Sequence, residues 1–174
     1  AQAIAEARRV PGAAQAVTGT VDVAAVLARR DEIVHDLDDS GQLPWLEDVG
    51  VALVRGHGRL VAERQVQVDD ELYEAAHAVV VAVGSRAALP PIDGLAEARP
   101  WTNREITTTK TVPARLIILG GGVVAVEMAS AYRSLGSDVV LIERGDRLIE
   151  RVEPFASQEL LESLRERGVD VRLD

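Results

Sequence analysis

Gly120-Gly121-Gly122-Val123-Val124-Ala125 has the form G-x-G-x-x-A, and an acid, Glu143, stands 23 positions after the first glycine. Residues of these types at this spacing suit a pyrophosphate and an adenosine ribose. Gly120 permits a tight turn from a strand into a helix. Gly122 has no Cβ and lets backbone approach a phosphate, while Ala125 is small enough for helix and strand to pack. The free N–H groups and the positive end of the helix dipole would face the phosphates. Glu143 would accept hydrogen bonds from the ribose hydroxyls. Its charge would repel a 2′-phosphate, so NAD is favoured over NADP. Arg144 and Arg147 follow directly and could instead embrace that phosphate, or be plain solvated charges. The competing reading of the glycines is a tight turn with no ligand. Strand, turn, helix and acid occur together, which favours a dinucleotide.

The elements that must position these residues are legible in the pattern. Arg115-Leu116-Ile117-Ile118-Leu119 reads as a strand, Gly122 to Leu135 as a helix, and Asp138 to Glu143 as a second strand. Phe155 to Arg167 reads as a helix and Val169 to Leu173 as a third strand. This βαβαβ alternation predicts a parallel sheet with right-handed crossovers. Earlier, Ala1 to Val10 has helical composition, and Asp22 is a candidate N-cap for a helix to about Asp36. Trp45 to Val49 looks like a short helix with Gly50 at its C-terminal glycine position. Val51-Ala52-Leu53-Val54, Leu60-Val61-Ala62 and Gln65-Val66-Gln67-Val68-Asp69 read as extended. Ala78 to Val83 is a continuous apolar run of the kind covered on both faces. Pro90, Pro91, Pro100 and Pro113 mark Arg86 to Pro113 as a linker between two structural units.

Composition narrows the function further. The chain has 174 residues, a net charge of −9, 47 % hydrophobic residues, 3 % aromatics and no cysteine. The acidic balance argues against nucleic acid and anionic membranes as partners. Few aromatics leave little for base stacking. Without cysteine there is no disulfide framework, thiolate metal site or cysteine nucleophile in these residues. His35 and His77 lack ligand-like spacing, so no metal site is expected. No apolar run approaches the roughly 18 residues of a membrane helix. A cytoplasmic protein is the expectation.

Two segments together resemble the flavoprotein pyridine nucleotide-disulfide oxidoreductase family, which includes dihydrolipoamide dehydrogenase, glutathione reductase and mercuric reductase. Ala82-Val83-Gly84-Ser85-Arg86, followed by Leu89-Pro90-Pro91-Ile92-Asp93-Gly94, is similar to the family's A-T-G-S-x-P-x-x-P-x-I-x-G segment. Leu116 to Ala129 resembles the start of its NAD(P)H domain, and Arg55 to Leu60 its adenine-side strand. The resemblance implies an α/β fold: the later part of an FAD-binding domain over residues 1–98, then the first βαβαβ half of a Rossmann-type NAD(P)-binding domain over 99–174. It implies that Gly84 and Ser85 place backbone near FAD, that His57 and Gly58 lie by its adenine, and that Glu127 points toward the flavin–nicotinamide junction. His57 as a loop histidine, Gly84-Ser85 as a plain turn and Glu127 as an acid at a helix start are the competing readings.

The resemblance also implies a division of labour with residues not in this sequence. The family's N-terminal G-x-G-x-x-G, redox cysteine pair and His-Glu acid–base pair are absent from the 174 residues. The expectation is a fragment with no catalytic residue of its own, binding NAD or NADP, within a parent that also binds FAD. Val123 stands where glutathione reductase has a tyrosine gating the nicotinamide pocket. Ala125 is the more NADPH-like choice and Glu143 the more NADH-like one. Apolar faces normally covered by the rest of such a domain predict a homo-oligomer.

Overall fold

The computed structural model describes residues 2–174. Ala1, the first residue of the expected N-terminal helix, lies outside the described residues. The chain divides into two compact units, one of Ala1–Arg30 with Leu89–Asp174 and one of Asp31–Ala88.

In the larger unit, β4 (Arg115–Leu119), α6 (Val123–Ser134), β5 (Asp138–Ile142), α7 (Pro154–Glu166) and β6 (Asp170–Arg172) follow in the expected alternation. The strands form a parallel sheet in the order β4-β5-β6. Leu119 pairs with Ile142, which brings the two strand ends that lead into Gly120 and Glu143 side by side. Every buried hydrophobic among the described residues lies between Val126 and Val171. Val126, Ala129 and Tyr132 of α6 and Leu161 and Leu164 of α7 close over Val139, Leu141 and Val171 of the sheet. The two buried serines are satisfied. Ser137 donates to the Pro113 carbonyl at 2.6 Å and Ser157 to the Leu148 carbonyl at 2.5 Å, as burial of a hydroxyl requires.

The same unit holds α1 (Gln2–Ala7), α2 (Ala13–Ala16) and most of α3 (Val23–Ile33). Asp22 caps α3 as expected, its carboxylate accepting from the Ala25 N–H at 3.0 Å. Arg30 donates to the Thr109 carbonyl at 2.8 Å. The proline-bearing stretch read as a linker contains a further helix, α5 (Asn103–Thr108). It begins with a capping box between Thr102 and Glu105. Tyr132 ties α6 to this helix by donating to the Ile106 carbonyl at 2.6 Å.

The capping box gives a pH prediction. The Glu105 carboxyl is held below its ordinary value by the Thr102 hydroxyl and then by backbone N–H groups. Its stabilisation is complete where the unfolded carboxyl is ionised and fades as the pH falls through the lower folded value. Glu105→Gln is expected to flatten the decline of Tm below about pH 5, measured against the parent chain by calorimetry.

The smaller unit carries α4 (Leu43–Asp48) and an antiparallel meander of β1 (Gly58–Ala62), β2 (Gln65–Val68) and β3 (Glu71–Glu74). Two-residue connections join the strands, with Arg64 (φ 59°) and Asp69 (φ 51°) in the left-handed region. Gly50 ends α4 at φ 71°, the conformation a C-terminal glycine supplies. Two expected strands are not formed. Val51-Ala52-Leu53-Val54 and Ala78 to Val83 have no ladder partner. The second run, expected to be covered on both faces, leaves Val80 86 % and Val83 87 % exposed. An apolar run becomes a buried strand only if neighbours supply hydrogen bonds on its edges and side chains on its faces, and the meander does neither.

Candidate functional site

The turn between β4 and α6 is built as the sequence motif requires. Gly120 has φ 106°, which favours glycine, and its N–H donates to the Ile142 carbonyl at 2.8 Å. Gly122 is the N-cap of α6, in extended conformation and without a side-chain cap. The first bond of the helix runs from the Val126 N–H to the Gly122 carbonyl at 3.1 Å. The N–H groups of Gly122, Val123, Val124 and Ala125 therefore precede the helical ladder. Ala125 packs against the core from α6, the close helix–sheet contact for which a small residue was expected.

Glu143 lies at the same end of the sheet, one residue past β5. Its Oε2 accepts a short hydrogen bond from the Gly121 N–H, and its Oε1 accepts from the Gly145 N–H at 2.9 Å. Each oxygen keeps a lone pair free, so the carboxylate can still accept from a ribose hydroxyl. Arg144 is exposed. Arg147 donates to the Glu150 carbonyl at 2.7 Å within its own loop.

On α6, Val123 and Val124 are 54 % and 52 % exposed, and Glu127 shares their uncovered face one turn later. The structure thus brings Gly120, Gly122, Val123, Ala125, Glu127 and Glu143 to one end of one unit. His57, Gly58, Gly84 and Ser85 belong to the other unit. His57 is exposed just before β1, and Gly58 pairs with Val68. Gly84 has φ 65°, and Ser85 is exposed in an irregular segment. No hydrogen bond among the described residues joins these four into a cluster.

Two glycines matter that the motif left out. Gly121 was only an x in the pattern, yet a Cβ there would stand 3.0 Å from both Cγ and Oε2 of Glu143. Gly56 has φ 154°, and its Cβ would fall 2.5 Å from Val68 Cγ1. The Gly-His-Gly bend was the only signal for the second; nothing in the sequence pattern marks the first.

A pyridine dinucleotide fits the turn. A Cβ at Gly122 would meet no atom within 4 Å, so there is free space beside the backbone at the start of α6, where four N–H groups precede the helical ladder. Backbone donors and a nearby carboxylate are the donor set that a pyrophosphate and a ribose need. Among the described residues no group of three or more His, Asp or Glu could hold a metal ion. No helix there is long and apolar enough to cross a membrane.

Comparison with known proteins agrees with this geometry. The chain is 29 % identical over 157 residues to mercuric reductase of Staphylococcus aureus, covering 90 % of this chain and 28 % of that protein. It is 30 % identical over 154 residues to dihydrolipoyl dehydrogenase of Acholeplasma laidlawii, covering 86 % and 45 %. It therefore spans less than half the length of these relatives. Among solved structures, the HOCl-induced flavoprotein disulfide reductase RclA from Escherichia coli superposes with a TM-score of 0.74 at 22 % identity. That match covers 98 % of this chain and 37 % of RclA, and shows a shared fold. Residues 6–174 match the family described as pyridine nucleotide-disulphide oxidoreductase. A glycine turn between strand and helix in a parallel sheet, and a family match over nearly all of its length, place the chain in the pyridine nucleotide-disulphide oxidoreductase family of flavoproteins.

Proposed function

We propose that the chain is the nicotinamide-dinucleotide-binding part, with some of the flavin-binding part, of an FAD-dependent NAD(P)H oxidoreductase. Residues 99–174 hold the dinucleotide and residues 1–98 contribute to the flavin side. The single observation that carries this is the glycine turn at the uncapped N-terminus of α6 with Glu143 held beside it. Backbone N–H groups of Gly122 to Ala125 would hold the pyrophosphate, and Glu143 the adenosine ribose, with NADH favoured by its charge. When bound, the nicotinamide supplies a hydride for a flavin and thence for a disulfide or another acceptor. Val123 and Val124 present the apolar part of the α6 face beyond the turn, where they would exclude water from the nicotinamide side, and Glu127, one turn on, would point toward the flavin–nicotinamide junction.

A second reading is a dinucleotide-binding module without catalysis. It is favoured by the exposure of His57, Gly58 and Ser85, which the first reading would place against a flavin. Titration of the chain with NADH, followed by protein-to-nicotinamide energy transfer, is expected to saturate. The same chain with NADH, FAD and an oxidised dithiol is expected to consume no NADH above background. Absence of binding would defeat both readings. Turnover at an enzymatic rate would defeat the assignment of catalysis to residues outside this sequence.

A further inference from the structure

The backbone behind the glycine turn is tied to a buried side chain outside the sequence motif. We infer that Ser157 is a positioning residue for the dinucleotide pyrophosphate: through two peptide groups it fixes the direction of the Gly122 N–H. This role rests on the dinucleotide reading of the turn.

Three successive glycines form the turn, and glycine backbone is the most permissive of any residue's. A peptide between two glycines turns over readily unless something outside the turn holds it. For the Gly121–Gly122 peptide that hold is Ile149, whose N–H donates to the Gly121 carbonyl at 2.9 Å. A trans peptide is planar, with its C=O and N–H on opposite sides. Holding the Gly121 carbonyl toward Ile149 therefore turns the Gly122 N–H away from that loop. This N–H is one of the four that precede the helical ladder of α6.

The peptide that does the holding is itself held. The Leu148 C=O and the Ile149 N–H belong to one peptide group. Its carbonyl accepts from the Ser157 hydroxyl at 2.5 Å, and its N–H is given to Gly121. Ser157 is 2 % exposed in the first turn of α7 and forms the fixed end of this relay. Each bond in such a chain polarises the next. Ile149 shows what the arrangement costs. Its φ is 44°, in the left-handed region that a β-branched residue avoids. Its N–H and its carbonyl are both bonded, the carbonyl to the Val152 N–H at 2.9 Å. Strain of that kind persists where the surroundings over-determine the backbone.

Ser137 supplies the comparison. It too is buried and donates to a backbone carbonyl, that of Pro113, at 2.6 Å. Ser137 precedes β5 and Pro113 precedes β4, at the end of the parallel sheet opposite the turn. The two serines share burial and chemistry. They differ in what the accepting peptide leads to.

The test measures NADH dissociation constants by fluorescence titration of the full chain in the parent, Ser157→Ala and Ser137→Ala. Each alanine strands a buried carbonyl, so both variants are expected to melt below the parent. Ser157→Ala is expected to weaken NADH binding about fivefold, the worth of one hydrogen bond. Ser137→Ala is expected to leave the constant unchanged. In amide-resolved spectra without nucleotide, the Ile149 and Gly122 resonances are expected to move in Ser157→Ala and to stay in place in Ser137→Ala. Ser157→Cys keeps a weaker donor and is expected to fall between serine and alanine on both readouts; it carries the comparison if Ser157→Ala does not fold. Equal weakening in the two alanine variants, no weakening in Ser157→Ala, an unmoved Gly122 resonance, or a Ser157→Cys chain matching the parent on both readouts would overturn the role of Ser157 and leave the dinucleotide reading intact. A parent chain that does not bind NADH would defeat that reading, and this one with it.

Discussion

Replacing Gly122 by aspartate is expected to abolish dinucleotide binding while slightly raising the melting temperature of the free chain. The two effects have separate causes. Gly122 is the N-cap of α6, its φ and ψ are −75° and 179°, and no side chain caps the helix. Any residue can adopt that conformation, and a Cβ would meet nothing within 4 Å. Aspartate is a better N-cap than glycine by a few tenths of a kcal/mol, and its charge complements the helix dipole. The same carboxylate would occupy the free space at the start of α6 and bond the N–H groups intended for phosphate. Binding of NADH is expected to fall by at least about 100-fold, since a charge-assisted pyrophosphate contact is replaced by like-charge repulsion. Gly122→Ala is expected to show a smaller loss of binding and no gain in stability. A Gly122→Asp chain that melts higher and binds NADH as before would place the dinucleotide elsewhere.

The largest loss of stability is expected from Leu141→Ala. Leu141 is fully buried in β5, the middle strand of the parallel sheet, and pairs with Ile118 and Val171. Removing the methine and two methyl groups beyond Cβ forfeits their transfer free energy and leaves a cavity that packed neighbours only partly fill. The expected cost is about 3 kcal/mol, against a total stability of roughly 5–15 kcal/mol for a domain. Ile117 is the internal control. It has the same β-sheet and similar bulk, but it is 66 % exposed on β4. Ile117→Ala is expected to change stability by only about 0.5 kcal/mol. Denaturant unfolding of the two variants reads the difference directly.

The parts of the fold that could be read from sequence are those where local pattern and tertiary surroundings agree. Arg115 to Leu119, the helix after Gly122 and the strand from Asp138 appear within a residue or so of their expected limits. In each, an apolar run or a helical stripe finds its partner among the adjoining strands and helices of the same unit. Ala78 to Val83 has the pattern of a central strand and lacks the neighbours, so the pattern alone misleads. Glu71–Glu74 fails in the opposite way. Its Glu-Leu-Tyr-Glu sequence is weakly patterned, and its strand state comes from pairing with β2 across the Asp69-Asp70 connection. The helix Asn103–Thr108 was readable, for Thr102 and Glu105 have capping-box spacing. Its threonine-rich body and flanking prolines conceal it. At the site, the motif named Gly120, Gly122, Ala125 and Glu143 because their roles follow from generic strand-turn-helix geometry. Gly121 needed coordinates, since what it accommodates is a side chain 22 residues away.

The proposed place of the nicotinamide dinucleotide is the N-terminus of α6. The most direct measurement is an amide-resolved NMR titration of the chain with NADH. The expected result is a set of saturable shifts centred on the N–H groups of Gly122, Val123, Val124 and Ala125, with Gly145 beside Glu143 moving at the same nucleotide concentration. Shifts that leave these amides untouched, or no saturable shift at all, would contradict it.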